Sequence, residues 1–448
     1  MATEHRTAAV VAIGDELALG QSLDTNSQWL ADRLTSIGVS VIEHATLDDD
    51  RVRLHEALER LASQADLLVC TGGLGPTADD LTRFALADAM GAELKEDAEA
   101  LAVIRTWFEG RGRVMPDANR VQALRPSAAR FLPNPNGTAP GLACQIARCD
   151  VYCLPGPPRE MRTMFDASVC KGVRPPMGRV VRTRMLRTFG LGESAAAARM
   201  RDAPEGDLMR RDRSPLVGVT ASLGILTVRL RDEDAPTVEA SERRLDETEA
   251  AVRACLGNYV FARGDVSLAG SVIELLRGRG ASVTTAESCT GGMIAAALTD
   301  EPGSSDVFSG GWIAYANDVK RRELGVDAAL FKDTGGAEAP GAVSEEVARA
   351  MAVGALSRGG ADHALSVTGI AGPGGGTDNR PVGTVWIAHA DRAGRGGPRV
   401  NVREFLFRGG RGSVRAWAVC SALAMLHLGL RGAGTLPLLG ERADASRS

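Results

Sequence analysis

Residues 66–80 read Asp66-Leu67-Leu68-Val69-Cys70-Thr71-Gly72-Gly73-Leu74-Gly75-Pro76-Thr77-Ala78-Asp79-Asp80. A short apolar run, a glycine-rich turn and a helix-period segment from 80 to 90 make up the unit from which parallel sheets with covering helices are built. The alternation extends outward on the amino-terminal side. Residues 8–13, 39–45 and 66–70 are strand-like, residues 26–37, 51–62 and 80–90 have helix period, and the pattern runs to about residue 169. A doubly wound α/β domain is predicted, with ligands at the carboxyl ends of its strands. The turn at 71–80 falls at such an end. Successive amides there form an anion cradle, and neighbouring carboxylates can hold a divalent cation against phosphates. Asp15 and Glu16 close the first strand and Asp48, Asp49 and Asp50 follow another, so all are expected at one sheet edge. The competing reading is that these acids cap helices and solvate loops.

A second turn, Ala286-Glu287-Ser288-Cys289-Thr290-Gly291-Gly292, separates a strand-like run at 281–286 from a helix-period run at 293–299. Lys320 follows Ser288 by 32 residues. Of the 52 lysines and arginines only Lys95, Lys171, Lys320 and Lys332 are lysines, so a lysine in this chain marks a place where arginine would not serve. Arginine stays protonated, whereas a desolvated ammonium can lose its proton and act as base toward a serine hydroxyl. The pair points to a Ser/Lys amidohydrolase. The amides of Thr290, Gly291 and Gly292 are expected free for a phosphate or a developing oxyanion. Taken alone, such a serine is a helix cap. Cys289 is the rival nucleophile, but thiolate chemistry recruits a histidine or another cation, and no histidine is near in sequence. A third glycine-rich loop, 368–376, follows a strand-like run at 364–367 and lacks both the Walker and the dinucleotide-turn patterns. It reads as a ligand-wrapping loop or a connector.

Length and charge narrow the classes. A chain of 448 residues implies two or three domains. A net charge of −4 and a pI near 6.0 give no bulk attraction to nucleic acid or anionic membrane. The eight cysteines form no Cys-x-x-Cys and the six histidines are isolated, so reduced thiols in a cytoplasmic protein are expected, without a zinc site. No signal peptide is read at the start, and the apolar stretch 416–430 is shorter than a membrane span, so a buried helix is expected there. Pro- and Gly-rich residues 171–178 mark a boundary, and a charged helix-period run at 235–255 belongs to a smaller segment. The expected domains are 1–172, an α+β middle domain at 178–262, a third α/β domain at 265–431, and a disordered tail at 432–448.

Six ordered motifs in the third domain, at 286–292, 303–305, 315–320, 341–346, 368–373 and 381–386, resemble the nicotinamide mononucleotide deamidase domain of the CinA family. Residues 14–20, 24–26, 71–80, 134–141 and 154–161 are similar to that family's molybdopterin-binding-like domain. The resemblance implies hydrolysis of the nicotinamide mononucleotide carboxamide to nicotinate mononucleotide and ammonia, with no cofactor. It makes Ser288 the nucleophile, Lys320 its base and Tyr315 a supporting group. Cys289, Thr290, Gly291, Gly292, Ser305, Asn317, Thr368, Gly369 and Gly372 would line the substrate site, with Arg411 as phosphate ligand. For the first domain it implies ADP-ribose pyrophosphatase activity with a divalent metal (Mg, Mn or Co), K+ being an optional companion. Gly72, Gly73, Gly75, Thr77 and Asn26 would bind phosphate there, and Asp79, Asp80 and Glu16 are the metal candidates. A homodimer is implied, with small nucleotides as ligands and no direct nucleic-acid or membrane partner. Two alternatives stand beside this: a deamidase whose first domain binds a nucleotide or molybdopterin without turnover, and a regulatory factor in competence or DNA damage. The segment 332–340 reads as a small insertion, and Ala316 and Val319 replace residues more often Ser and Ala.

Overall fold

The computed structural model describes residues 4–176, 178, 180–331, 339–392 and 397–442. The chain divides into two compact units, Met1–Arg182 with Asp232–Arg243, and Thr183–Arg231 with Arg244–Ser448. Lys332 and most of the expected insertion lie outside the described residues.

The first unit is built on β1 (Thr7–Ile13), β2 (Ser40–Leu47), β3 (Leu67–Thr71), β4 (Arg130–Leu132), β5 (Gly141–Ile146) and β6 (Cys149–Leu154). They line up in the order β2-β1-β3-β6-β5-β4. The first four are parallel, and β3 and β6 are buried throughout, as a sheet covered on both faces requires. The parallel pattern stops at β5 and β4, which run antiparallel. Only two residues join β5 to β6, too few for a crossover, so the hairpin forces the reversal. Helix α1 (Thr25–Ser36) covers one face with Leu30 and Leu34, while α2 (Arg51–Gln64) and α3 (Thr82–Ala89) cover the other with Leu54, Leu58, Leu61 and Leu86. Each such buried leucine contributes about 2 kcal/mol. Between β3 and β4 the chain makes an excursion through α4 (Ala98–Glu109) and a two-stranded ladder of Leu94–Glu96 with Leu124–Pro126, which the sequence pattern did not announce.

The middle segment is α+β as expected: β7 (Val180–Phe189), β8 (Leu216–Ser222), β9 (Ile225–Ala235) and β10 (Val260–Arg263) in the order β8-β9-β7-β10, with helices α5 (Glu193–Arg201) and α6 (Val238–Leu256).

The third sheet has the order β12-β11-β13-β14-β15, from β11 (Val283–Glu287), β12 (Phe308–Ile313), β13 (His363–Gly369), β14 (Thr384–Asp391) and β15 (Arg399–Leu406). The first three strands are parallel and the last two antiparallel. Helix α7 (Leu268–Arg277) and α8 (Arg411–Leu430) share one core cluster, while α9 (Glu345–Gly359) packs in another. Helix α8 is long and apolar enough to cross a membrane, yet most of it is buried within the unit. It is the buried helix expected at 416–430, one turn longer.

The expected tail is corrected. Leu438 is only 4% exposed and belongs to the core, Glu441 pairs with Arg403 at 2.8 Å, and Phe405 bridges to Glu441. Residues 433–439 include Ala433, Leu436, Leu438 and Leu439, apolar side chains spaced too irregularly for a periodicity argument. Residues 443–448 lie outside the described residues.

Candidate active sites

Three strands of the third sheet end side by side. Glu287, last in β11, lies opposite Ile313 of β12 and Val367 of β13. Ser288 and Ala314 therefore leave the sheet at one edge, where Thr368 is still paired with Trp386 of β14. The Ser288 amide donates to Val367 O at 2.9 Å, and the Ala314 amide donates to Glu287 O at 2.8 Å, which carries the ladder one step into the turn. Ser288 is 7% exposed. Lys320, in the first helical turn after β12 (residues Asn317–Leu324), is 2% exposed.

Burial lowers the Lys320 pKa, because an ammonium loses hydration there. Its recorded hydrogen bond, to Asn317 Oδ1, is long at 3.5 Å and compensates little. The Cys289 thiol is close enough to interact electrostatically with Lys320, but burial pushes that thiol up to about 11. It stays protonated at neutral pH and is a poor nucleophile.

The expectation of three free amides is corrected by Glu287. This carboxylate, 1% exposed, accepts from the amides of Gly292 (3.0 Å), Ile294 (3.0 Å) and Ala295 (2.9 Å). It fills the start of the helix Met293–Thr299, where a negative charge is favoured. The Gly291 amide donates to Ser288 O at 3.1 Å. Among the described residues only the Thr290 amide, of the three, has no recorded acceptor. Gly292 itself is required by the turn, since its φ of 92° is left-handed.

Arg411, first in α8, spans the mouth of the site. It donates to Tyr315 Oη at 3.2 Å and to Gly372 O at 3.1 Å. Arg415, one turn later on the same face, donates to Thr290 O at 2.8 Å, and its Nε is buried without a hydrogen-bond partner among the described residues, as is Thr290 Oγ1. Thr368 is brought to the edge but turns its hydroxyl to Ala342 O at 2.6 Å, and Gly369 is paired with Val385 in the ladder. Ser305 is not brought in. Phe308 pairs with Val283 at the opening of β11, so Ser305 lies at the amino-terminal end of the parallel strands. Five residues of strand separate it from Ser288, roughly 16 Å.

In the first unit the turn after β3 borders a cavity of about 350 Å³, which Gly14, Glu16, Asp49, Asp79, Thr138 and Glu160 also line. Gly72 has a φ of 107°, and a β-carbon there would fall 2.1 Å from Ile13 O, so only glycine lets the ends of β1 and β3 approach. The predicted cradle is partly filled from within. Asp80 accepts from the amides of Gly75 (2.7 Å) and Thr77 (2.8 Å) and from the Thr77 hydroxyl, and the Gly72 amide donates to Leu154 O at 3.0 Å. Of the expected phosphate donors, the Gly73 amide remains, with Leu74 beside it. Arg83, 1% exposed, braces the turn from below by donating to Leu74 O (2.6 Å) and Gly75 O (3.2 Å), and burial lowers its pKa to about 10. Asn26 spends its amide donors on Thr71 Oγ1 (3.1 Å) and Gly156 O (2.7 Å), which corrects its expected role as a phosphate donor. Its Oδ1 is buried without a hydrogen-bond partner among the described residues.

The acids divide in the same way. Asp50 caps α2 through Val52 and Arg53, and Asp48 pairs with Arg53 at 2.9 Å, so both serve structure. Asp15 and Asp49 exchange backbone-to-carboxylate hydrogen bonds at 3.0 and 3.1 Å. Burial, together with the charges of Asp15, Asp79 and Glu16, raises the Asp49 pKa.

Comparison with known proteins follows this architecture. Residues 9–175 match the family described as "Probable molybdopterin binding domain", residues 183–262 the "Damage-inducible protein CinA KH domain", and residues 265–430 the "CinA C-terminal domain". A protein of Symbiobacterium thermophilum named as competence-damage inducible is 43% identical over 434 residues, covering 95% of this chain and 99% of its own. The chain belongs to the CinA family. A CinA-like protein of Geobacter metallireducens is 41% identical over 94% of this chain and 98% of its own. Among solved structures, the competence/damage inducible protein CihA of Agrobacterium tumefaciens is 44% identical over 37% of this chain and 93% of its own, with a TM-score of 0.33. CinA of Thermoplasma acidophilum, whose function is given as unknown, is 33% identical over 38% of this chain and 99% of its own, with a TM-score of 0.35.

Within this CinA-family chain three regions are matched, but the middle one divides by contact: residues 232–243 fall in the first unit and the rest in the unit that holds the third region. The residues suit a divalent ion in the first unit only in a limited way. Asp80 is committed to its own turn, and among the described residues no three His, Cys, Asp or Glu side chains gather at metal-holding spacing. Glu16, Asp49 and Asp79, which line one cavity, fit an ion held by one or two carboxylates plus phosphate oxygens and water, which is the usual mode for Mg²⁺.

Proposed function

We propose that the third domain hydrolyses the carboxamide of nicotinamide mononucleotide. The observation that supports this is a buried serine beyond β11 and a buried lysine beyond β12, the lysine with a lowered pKa and near enough to Cys289, the serine's neighbour, to interact with it. Neutral Lys320 takes the Ser288 proton as Oγ attacks the carboxamide carbon. The oxyanion forms within reach of the Thr290 amide. The C–N bond then breaks, Lys320 returns the proton to the departing nitrogen, and ammonia leaves. Water, deprotonated by Lys320, cleaves the acyl-serine to give nicotinate mononucleotide and free Ser288. Arg411 supplies a cation for the 5′-phosphate.

The first domain is assigned ADP-ribose hydrolysis to AMP and ribose 5-phosphate. A divalent ion bound there would neutralise the two phosphates during cleavage. One or two of Glu16, Asp49 and Asp79 would hold it together with water and phosphate oxygens, while the Gly73 and Leu74 amides orient the diphosphate. Asp80 and Arg83 keep the turn in shape. The test is to incubate purified protein with each substrate, with and without chelator, and measure ammonia and AMP. Ammonia release should resist the chelator and AMP release should not. Failure to release AMP with Mg, Mn or Co present would leave the first domain as a binding module.

A further inference from the structure

The first unit contains a second cavity of about 690 Å³, within the size range of ligand sites. It adjoins the cavity at the glycine turn, and Thr138 lines both. One wall is α4, where Ala100, Val103, Ile104 and Trp107 recur at the i, i+3, i+4, i+7 spacing of a buried stripe. Half of that stripe meets the core. Ala100 is 8% and Ile104 2% exposed, whereas Val103 is 64% exposed and faces the cavity with Trp107. The opposite wall is Phe131 and the segment 133–140, which has prolines at 133, 135 and 140.

That segment is the partition between the cavities, and it is held rigid from behind. Asn134 Nδ2 donates to Ala139 O at 2.9 Å and to Glu160 at 2.6 Å, and its Oδ1 accepts from the Asn136 amide at 3.0 Å. Asn136 Nδ2 in turn donates to Thr163 Oγ1 at 2.9 Å. A preformed slot with an aromatic side chain on each wall suits a flat, rigid group, because little ordering remains to be done on binding. The neighbouring cavity is smaller and acid-lined, and no aromatic side chain lines it.

We propose that this second cavity receives the heteroaromatic base of a nucleotide whose diphosphate lies across the partition, against the Gly73 and Leu74 amides. This rests on the nucleotide reading of the first domain. It adds the groups that select the base: Val103 and Trp107 on one side and Phe131 on the other.

The test uses the full chain and titration calorimetry with ADP-ribose, AMP, ribose 5-phosphate and pyrophosphate. Val103→Trp fills the slot with a neutral side chain at an exposed position, so folding is not at risk, and Trp107→Ala empties one wall. Both variants should bind ADP-ribose and AMP about tenfold more weakly or worse. Ribose 5-phosphate and pyrophosphate should change by less than about twofold. If wild type binds ADP-ribose and Val103→Trp binds it equally well, the base lies elsewhere and this proposal falls while the nucleotide reading stands. Equal weakening of all four ligands would also overturn it. If wild type binds neither adenine ligand, both readings fall together.

Discussion

Lys320 can act as a base only in its neutral form, and burial is what makes that form accessible. Activity should therefore rise with pH through a lysine pKa set below the ordinary value, and this acid limb should vanish with the lysine. Lys320→Arg keeps the charge but cannot shed a proton, so it should lose as much deamidation as Lys320→Met; near-normal turnover by the arginine variant would mean the charge alone matters. Ser288→Ala should release no ammonia while nucleotide binding persists, and Cys289→Ala should stay active, its thiol being held protonated. The opposite order would move the nucleophile to the cysteine. Both residues of the proposed pair stand out in the sequence, Lys320 through its rarity and Ser288 through the strand-turn-helix around it, and the structure buries both. Glu287 and Arg415 were not. A strand-ending acid looks like any other, and Arg415 gains meaning only from a carbonyl 125 residues away.

At the scale of elements, both glycine turns follow a buried parallel strand, and each has part of its amide array taken by a carboxylate of its own, Asp80 in one and Glu287 in the other. Sequence spacing showed where the amides would point but not that they were engaged, since five to eight residues can fold back in many ways. Only the amides left over can meet a ligand. Removing Glu287 should uncap the helix Met293–Thr299 and leave three donors, two of them on residues flanking the buried core, without an acceptor. Glu287→Ala is expected to cost about 3 kcal/mol, read by urea denaturation of the second unit, while Glu287→Gln should recover part of that. A loss below about 0.5 kcal/mol would show that water replaces the carboxylate. The antiparallel edges of both α/β sheets were hidden for a related reason: a buried strand reads the same in either direction, and the connection length decides.

For the molecule as a whole, the buried His389 and His427 and the half-buried His363 connect acidity to stability. His363 Nδ1 lies 3.2 Å from His389 Nε2, burial lowers the His363 pKa, and it lowers His389 and His427 to about 4. Asp362 and Asp391 oppose the shifts and Arg279, Arg399 and Arg431 reinforce them. The unfolded chain binds these protons from about pH 6.5 downward and the folded one only near 4, so stability should fall as pH drops through that window. Urea midpoints measured from pH 7 to 4 should decline, and His389→Gln should flatten the slope; an unchanged slope would place the sensitivity elsewhere. The three-domain layout was legible because each domain has its own pattern, but the closing stretch was misread as loose. It lies between two domains. The Leu439 amide donates to Gly190 O at 2.9 Å, Tyr259 Oη donates to Pro437 O at 3.1 Å, and Glu441 pairs with Arg403 of β15. Anyone transplanting the third domain into another protein should therefore carry residues 431–442 with it, because a cut at the family boundary of 430 would unlace the seam and strip Leu436 and Leu438 from the cluster that holds Phe405 and Phe407.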